Sequence, residues 1–163
     1  MSLQTSYATR IAPAVLGMLA DFELHRIVTR TVQAVAGTAG GLPFGVVVRR
    51  GTTDQSIQDA SAATPVLGLT VLDPTVRPLP DGVDRYAQFT RAAVLPEGVI
   101  WVAVGAPVTQ PGAPAYFDAT GAITPTATGN TLLANGVFDA TSTIRGLGVV
   151  SYQPIGRSSI SCG

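Results

Sequence analysis

The sequence predicts a mainly β protein, an antiparallel β-barrel or sandwich of jelly-roll-like form with an extended N-terminal arm. Between Leu42 and Tyr152, short runs rich in Val, Ile and Tyr alternate with turns rich in Gly and Pro. No amphipathic segment long enough for a connecting helix separates these runs, which argues against βαβ units. We therefore expect three parts: an arm and joint over residues 1–41, a β domain over 42–152 and a tail over 153–163.

The arm contains an apolar patch, Ile11–Ala20, followed by a stretch of mixed character. The patch has too little sequence around it to form its own core, so its side chains must lie on the β domain or on a neighbouring subunit. Partial alternation of apolar and polar residues over Thr29–Val35 predicts a strand. The glycines of Gly37–Gly41 then predict a flexible joint.

Six strands are expected in the β domain, at Gly45–Arg50, Val66–Leu72, Tyr86–Leu95, Gly98–Val104, Ala115–Asp118 and Gly146–Tyr152. Tight hairpins are expected at Pro96–Gly98 and Ala119–Gly121, where glycine can adopt positive φ. Proline donates no backbone hydrogen bond, so the proline-rich segment Gly105–Pro114 is predicted to be an edge or a loop. Trp101 lies in the most apolar strand, which predicts a core position.

Charge is scarce along the whole chain. Charged residues make up 12% of the sequence, whereas an average soluble domain has about 25%. Much of the surface must therefore be neutral, which favours association with other subunits. The formal net charge is zero, which argues against nucleic-acid binding because nucleic-acid-binding domains carry clustered basic residues. No apolar run approaches the roughly 20 residues that span a membrane, so no membrane partner is expected.

The side chains that perform chemistry are also scarce. The chain has one histidine, His25, one cysteine, Cys162, and no lysine. No G-x-S-x-G motif frames a serine, and one His with one distant Cys does not make a zinc site. Asp81 and Asp84 share a loop, but that loop lacks the dense pattern of a calcium site. We expect no catalytic residues, no metal and no cofactor.

Seven segments stand in a consistent order along nearly the whole chain: Gly17–Asp21, Pro43–Gly45, Leu67–Pro74, Tyr86–Gln88, Ala93–Val102, Ala115–Thr124 and Thr128–Asn130. Taken together they resemble a family of tailed-bacteriophage virion proteins, the structural cement or capsid decoration proteins. The segment after Tyr152 extends past the final strand expected from this resemblance.

The resemblance implies a non-enzymatic protein that is made in the host cytoplasm and binds the outer surface of the phage capsid. There it would cement contacts between subunits of the major capsid protein, as a homo-oligomer that is either a dimer or a trimer. The expected contact regions are the arm, Met1–Val35, and two loops, Pro78–Asp84 and Gly105–Pro114. Within these regions and beside them, the candidate contact residues are Tyr7, Arg10, Ile11, Val15, Leu16, Met18, Leu19, Arg77 and Leu79.

Two other functions are weighed against this one. The first is a virion-displayed β module that binds host-surface carbohydrate, for which Trp101, Tyr86 and Tyr116 would have to be exposed together on one face. The second is a hydrolase that uses His25 or a pair of aspartates, and its activity would be lost in the variant His25→Ala.

Overall fold

The computed structural model describes residues 14–21, 25–33, 40–60, 65–76, 84–142 and 147–152. These residues contain eleven strands and no helix. The strands are β1 Arg26–Val32, β2 Gly41–Pro43, β3 Val47–Arg50, β4 Ser56–Asp59, β5 Val66–Thr70, β6 Arg85–Ala87, β7 Arg91–Ala103, β8 Pro114–Phe117, β9 Ile123–Thr124, β10 Thr131–Phe138 and β11 Leu147–Tyr152. The predicted mainly β fold is confirmed.

Five strands close into a barrel in the order β1, β4, β3, β5 and β7, with β7 pairing back onto β1. Four of the five neighbouring pairs are antiparallel, and β1 and β4 run parallel. A closed ring of five strands must contain at least one parallel pair, because strand direction cannot alternate all the way round an odd number. The barrel expected from the sequence is therefore present.

Four further strands extend from β7. The C-terminal half of this 13-residue strand pairs with β11, which leads through β10 and β8 to β9. A parallel bridge between Val104 and Ile123 ties the edge strand β9 back to the end of β7. The strand β7 is thus shared by the barrel and this second sheet.

The hairpin predicted at Pro96–Gly98 is wrong. This segment lies inside β7, at the point where the strand changes partners: Leu95 pairs with Leu69 of β5, and Gly98 pairs with Tyr152 of β11. Pro96 lies between these two ladders, where its missing N–H removes no bond to β5 or β11. Proline and glycine here mark a change of sheet instead of a reversal of the chain.

The barrel wall separates two hydrophobic cores. Side chains of successive strand residues point to opposite faces, so Val48 and Val94 belong to one core while their neighbours Val47 and Leu95 belong to the other. The barrel-interior core consists of Val32, Leu42, Phe44, Val48, Ile57, Tyr86, Ala92 and Val94. The second core packs the outer wall of the barrel against the second sheet and includes Leu69, Ile100, Phe117, Leu133, Phe138 and Val150.

A two-stranded ribbon of β2 and β6 contributes Leu42 and Tyr86 to the barrel core, and Phe44, directly after β2, also packs there. The rings of Phe44 and Tyr86 meet edge to face, with centroids 5.1 Å apart. The Tyr86 hydroxyl donates a hydrogen bond of 2.7 Å to the Val71 carbonyl. Burial raises the pKa of the Tyr86 phenol above its usual value, so the neutral form is favoured in the folded protein.

Several other predicted elements can be compared with the structure. The hairpin at Ala119–Gly121 is confirmed, since β8 and β9 flank it. The predicted strand Tyr86–Leu95 is instead two strands, β6 and β7, separated by a turn. The predicted core position of Trp101 is wrong: its side chain is half-buried, on the face of β7 opposite the buried Ile100 and Val102.

The sequence analysis missed the strands β2, β4 and β10. The longest of them, β10, contains Asn135 with φ 61° followed by Gly136. This dipeptide is more typical of a turn, but here it forms a bulge. The register between β8 and β10 shifts between Leu132 and Val137, which lets a turn-like sequence lie within a strand.

Candidate functional site

The described residues contain no group of three His, Cys, Asp or Glu side chains that could hold a metal ion. Cys162 and Asp81 lie outside the described ranges. His25 is exposed and precedes β1, with its Cβ close to Gly98. No helix in the described ranges is long and apolar enough to cross a membrane. The candidate contact features are therefore the exposed apolar side chains and the loops.

The apolar patch of the predicted arm is described from Ala14 onward, and Gly17–Ala20, here called the strap, lies beside the C-terminal half of β7. The Gly17 N–H donates to the Trp101 carbonyl at 2.8 Å, the Trp101 N–H donates to Met18 at 2.9 Å, and the Ala20 N–H donates to Val99 at 2.9 Å. An antiparallel bridge joins Leu19 and Ile100. The strap therefore covers an edge of β7 that would otherwise present unpaired backbone groups.

Gly17 fixes the strap to the barrel. Its carbonyl accepts a 2.7 Å hydrogen bond from the Leu72 N–H, at the end of β5. Its φ is +80°, and a Cβ placed there would lie 2.8 Å from the Phe44 Cβ and 2.9 Å from the Leu72 nitrogen. Only glycine fits such a close approach with positive φ. The strap is therefore an integral part of the domain.

Four of the candidate contact residues are in or next to the strap. Leu16 packs against the barrel core and Leu19 against the second core, while Met18 is half-buried. Val15 is 56% exposed. The other five, Tyr7, Arg10, Ile11, Arg77 and Leu79, lie outside the described residues. Contact of any of the nine with a partner stays a prediction.

Of the two predicted contact loops, Gly105–Pro114 is described completely, and only Asp84 is described of Pro78–Asp84. The first loop is anchored by paired backbone bonds between Val108 and Ser142, of 3.0 and 3.1 Å. Val108 is buried, but Pro107 and the stretch 109–112 are exposed. The loop carries no charged residue. It therefore presents a neutral, firmly held surface.

Three further exposed apolar side chains were not singled out from the sequence: Ile27 at 43%, Phe89 at 73% and Leu132 at 53% exposure. Phe89 lies in the turn between β6 and β7 and has φ 63°. It lies inside the predicted strand Tyr86–Leu95, and a phenylalanine in the sequence does not indicate a positive φ. The exposure of this residue is a tertiary property that the local sequence does not reveal.

The carbohydrate-binding alternative required Trp101, Tyr86 and Tyr116 on one exposed face. Tyr86 is 1% exposed and belongs to the barrel core. Trp101 and Tyr116 are both half-buried. The three aromatic side chains therefore do not form a stacking platform for a sugar.

Comparison with known proteins places the chain among phage structural proteins. The family described as "Structural cement protein (E217 gp24/Pam3 gp6)" matches residues 3–153. A chain from the capsid of Myoviridae phage XM1 superposes with a TM-score of 0.72 and 19% identity, covering 96% of this chain and all of that one; the two share a fold. The head fiber gp8.5 N base of bacteriophage phi29 aligns over 80% of this chain and 95% of that chain, with 12% identity and a TM-score of 0.43, too weak to establish a common fold. No curated protein matches the sequence.

Proposed function

Because this chain belongs to the structural cement protein family of phages, whose sequence model matches residues 3–153, we propose that it binds the outer surface of a phage capsid. It acts there as an adhesive between neighbouring subunits of the major capsid protein. The family match is the observation that carries this proposal, since it extends over the arm, the barrel and the second sheet alike.

The physical character of the chain supports an adhesive role. Charged residues form 12% of the sequence, and burying an uncharged surface against another protein costs less desolvation free energy than burying a charged one. Several modest contacts on one rigid domain act together, because each bond formed holds the others at high effective concentration. A shell under internal pressure is strengthened by such added bonds without any change in its own subunits.

The contact surfaces proposed are the N-terminal residues up to Val15 and the loop Gly105–Pro114. Val15 is exposed close to the point where the strap is anchored to β7. The loop is neutral and rigidly held by Val108. We propose that the protein works by binding, with no catalytic step, as a dimer or trimer on the virion.

The direct test is sedimentation of the purified protein with capsids assembled without it, followed by heating of the decorated and bare shells. We expect saturable binding at hundreds of copies per shell and a higher disruption temperature for the decorated particles. A variant lacking residues 1–13 should keep the fold and bind capsids less tightly, while Thr128→Ala, at an exposed residue outside both proposed contact surfaces, should bind as the wild type does. Absence of the wild-type protein from sedimented shells would refute the proposal.

A further inference from the structure

The turn Gln88–Thr90, here called the rim turn, joins β6 to β7 at the end of the barrel where β1 finishes. Backbone bonds hold it on two sides: the Phe89 N–H donates to Val32 at 2.8 Å, and the Val32 N–H donates to Thr90 at 2.9 Å. The Gln88 N–H also donates to Gly40 at 3.1 Å, and the Thr90 hydroxyl donates to Ala87 at 2.7 Å. The rim turn is therefore a fixed part of the barrel.

Phe89 combines two uncommon features, a highly exposed aromatic side chain and a positive φ. A single exposed apolar side chain is ordinary on a protein surface, but Phe89 is 73% exposed and also holds φ at 63°. Bulky residues avoid this backbone conformation. The other described non-glycine residue with positive φ is Asn135, a residue type that tolerates it.

Folding accounts for neither feature of Phe89. Asparagine or glycine would adopt the same backbone with less strain, and either would remove the exposed ring from water. Local strain combined with an exposed aromatic is expected where a residue is held ready for a partner, because such preorganisation reduces the entropy lost on binding. Aromatic side chains of this kind are enriched among the residues that dominate binding energy.

We propose that Phe89 is the anchor of the capsid contact and inserts into an apolar pocket with an acidic rim on the major capsid protein. This inference rests on the proposed function and assigns the binding energy to a residue outside the predicted contact set. The phenyl ring fills the pocket, and the polar residues of the rim turn surround it and exclude water, as around other interface anchors.

The charges around the rim turn indicate the acidic rim. The strand register places Arg91 opposite Thr31 and Arg30 opposite Ala92, and Arg50 of β3 pairs with Ile57, the β4 partner of Val32. Asp54 lies in the β3–β4 turn that follows Arg50. Arg30 donates from NH1 to the Gln55 side chain at 3.3 Å, which holds it in place. Three arginines against one aspartate give a local basic excess on a chain whose net charge is zero, so a partner carrying carboxylates is favoured.

The test measures the affinity of purified variants for undecorated capsids by co-sedimentation. Phe89→Asn should bind roughly 30-fold more weakly, as expected for loss of a dominant anchor, while its thermal midpoint stays equal to or above that of the wild type. Phe89→Trp should bind within a few-fold of wild type. The matched control is Leu132→Asn, the same kind of change at an exposed residue on β10, which should leave binding unchanged.

The outcomes separate this inference from the function on which it rests. If the wild type does not bind, the proposed function fails. If the wild type binds and Phe89→Asn binds equally well, the anchor is refuted and the function stands. Loss of folding in both Phe89→Asn and Phe89→Gly would make the ring structural and overturn the proposal, as would conversion of a soluble oligomer to a monomer by Phe89→Asn.

Two further variants of this protein test whether the partner pocket has an acidic rim. Arg91→Glu should weaken binding by up to about fivefold, and Asp54→Arg should strengthen it by a similar factor, since exposed charge pairs have effects of this size. Both differences should shrink in high salt. Changes of the same sign in the two variants would contradict a partner with an acidic rim.

Discussion

The strap and the rim turn are both short segments beside β7 that carry apolar side chains, and they differ in what those side chains contact. The strap is bonded along its backbone to β7, and the adjoining Leu16 and its own Leu19 pack into the domain cores. The rim turn is equally well bonded, but its apolar side chain, Phe89, points to solvent from a strained backbone. Apolar side chains that are covered by their own domain stabilise the fold, and we propose that the exposed and strained Phe89 marks a binding surface.

Of the changes that test this comparison, removal of the strap should have the largest effect. Deleting residues 1–20 should lower the free energy of unfolding by about 5 kcal/mol, because two leucines lose their packing and three backbone hydrogen bonds to β7 are lost. Deleting only residues 1–13 should leave the strap in place and change stability little. Urea denaturation measures both, and equal stability of the two truncated proteins would show that the strap is dispensable for folding.

A single substitution in the strap should have the next largest effect. Gly17→Ala places a methyl group against Phe44 and Leu72 at φ +80° and should destabilise the protein by about 3 kcal/mol. Gly112 has the same φ of +80° but nothing within 4 Å of its added Cβ, so Gly112→Ala should lose only about 1 kcal/mol. Thermal melts of the two variants distinguish destabilisation by the close contact from destabilisation by backbone strain alone. Equal losses of stability would show that the close contact contributes nothing.

Relief of strain in the rim turn should change stability in the opposite direction. Phe89→Asn should stabilise the protein by about 0.5 kcal/mol, since asparagine tolerates the positive φ that Phe89 adopts. Gln88→Asn, in the same turn but without a positive φ, offers no strain to relieve and should be neutral. A clear destabilisation by Phe89→Asn in chemical denaturation would mean that the ring supports the fold.

The smallest effect at neutral pH is expected at the buried tyrosines. Burial raises the pKa of Tyr86 and Tyr152 above the ordinary value of 10.0, so the folded state holds these protons more tightly than the unfolded state. Their contribution to stability is complete below pH 10 and is lost as the pH rises through the raised values. Tyr152→Phe should make the alkaline loss of stability shallower, and an unchanged pH profile would contradict this assignment.

Much of the fold could be predicted from the sequence because its signals are local. Alternating apolar residues and proline-rich breaks placed the hairpin at Ala119–Gly121 correctly, and the loop predicted over Gly105–Pro114 ends one residue earlier, where Pro114 begins β8. The wrong predictions occur where the same local sequence is compatible with two different tertiary arrangements. Pro96 and Gly98 suggest a turn and instead mark a change of partner within β7, and the Asn135–Gly136 dipeptide is a bulge within β10.

The candidate site could be predicted less well, for a physical reason. An apolar pattern shows that a side chain leaves water, but it does not show whether its own domain or another protein covers it. Leu16 and Leu19 are covered by the domain itself, and Phe89 is not. Neither the exposure nor the backbone angle of Phe89 is encoded by its neighbours in sequence, so only the folded structure distinguishes it.

We propose that the exposed ring of the rim turn contributes the largest share of the capsid-binding energy, while the strap serves the fold. The most direct measurement is the affinity of wild-type protein and Phe89→Asn for undecorated capsids, taken together with their free energies of unfolding. We predict roughly 30-fold weaker binding with undiminished stability for Phe89→Asn. Equal affinity of the two proteins would contradict the account.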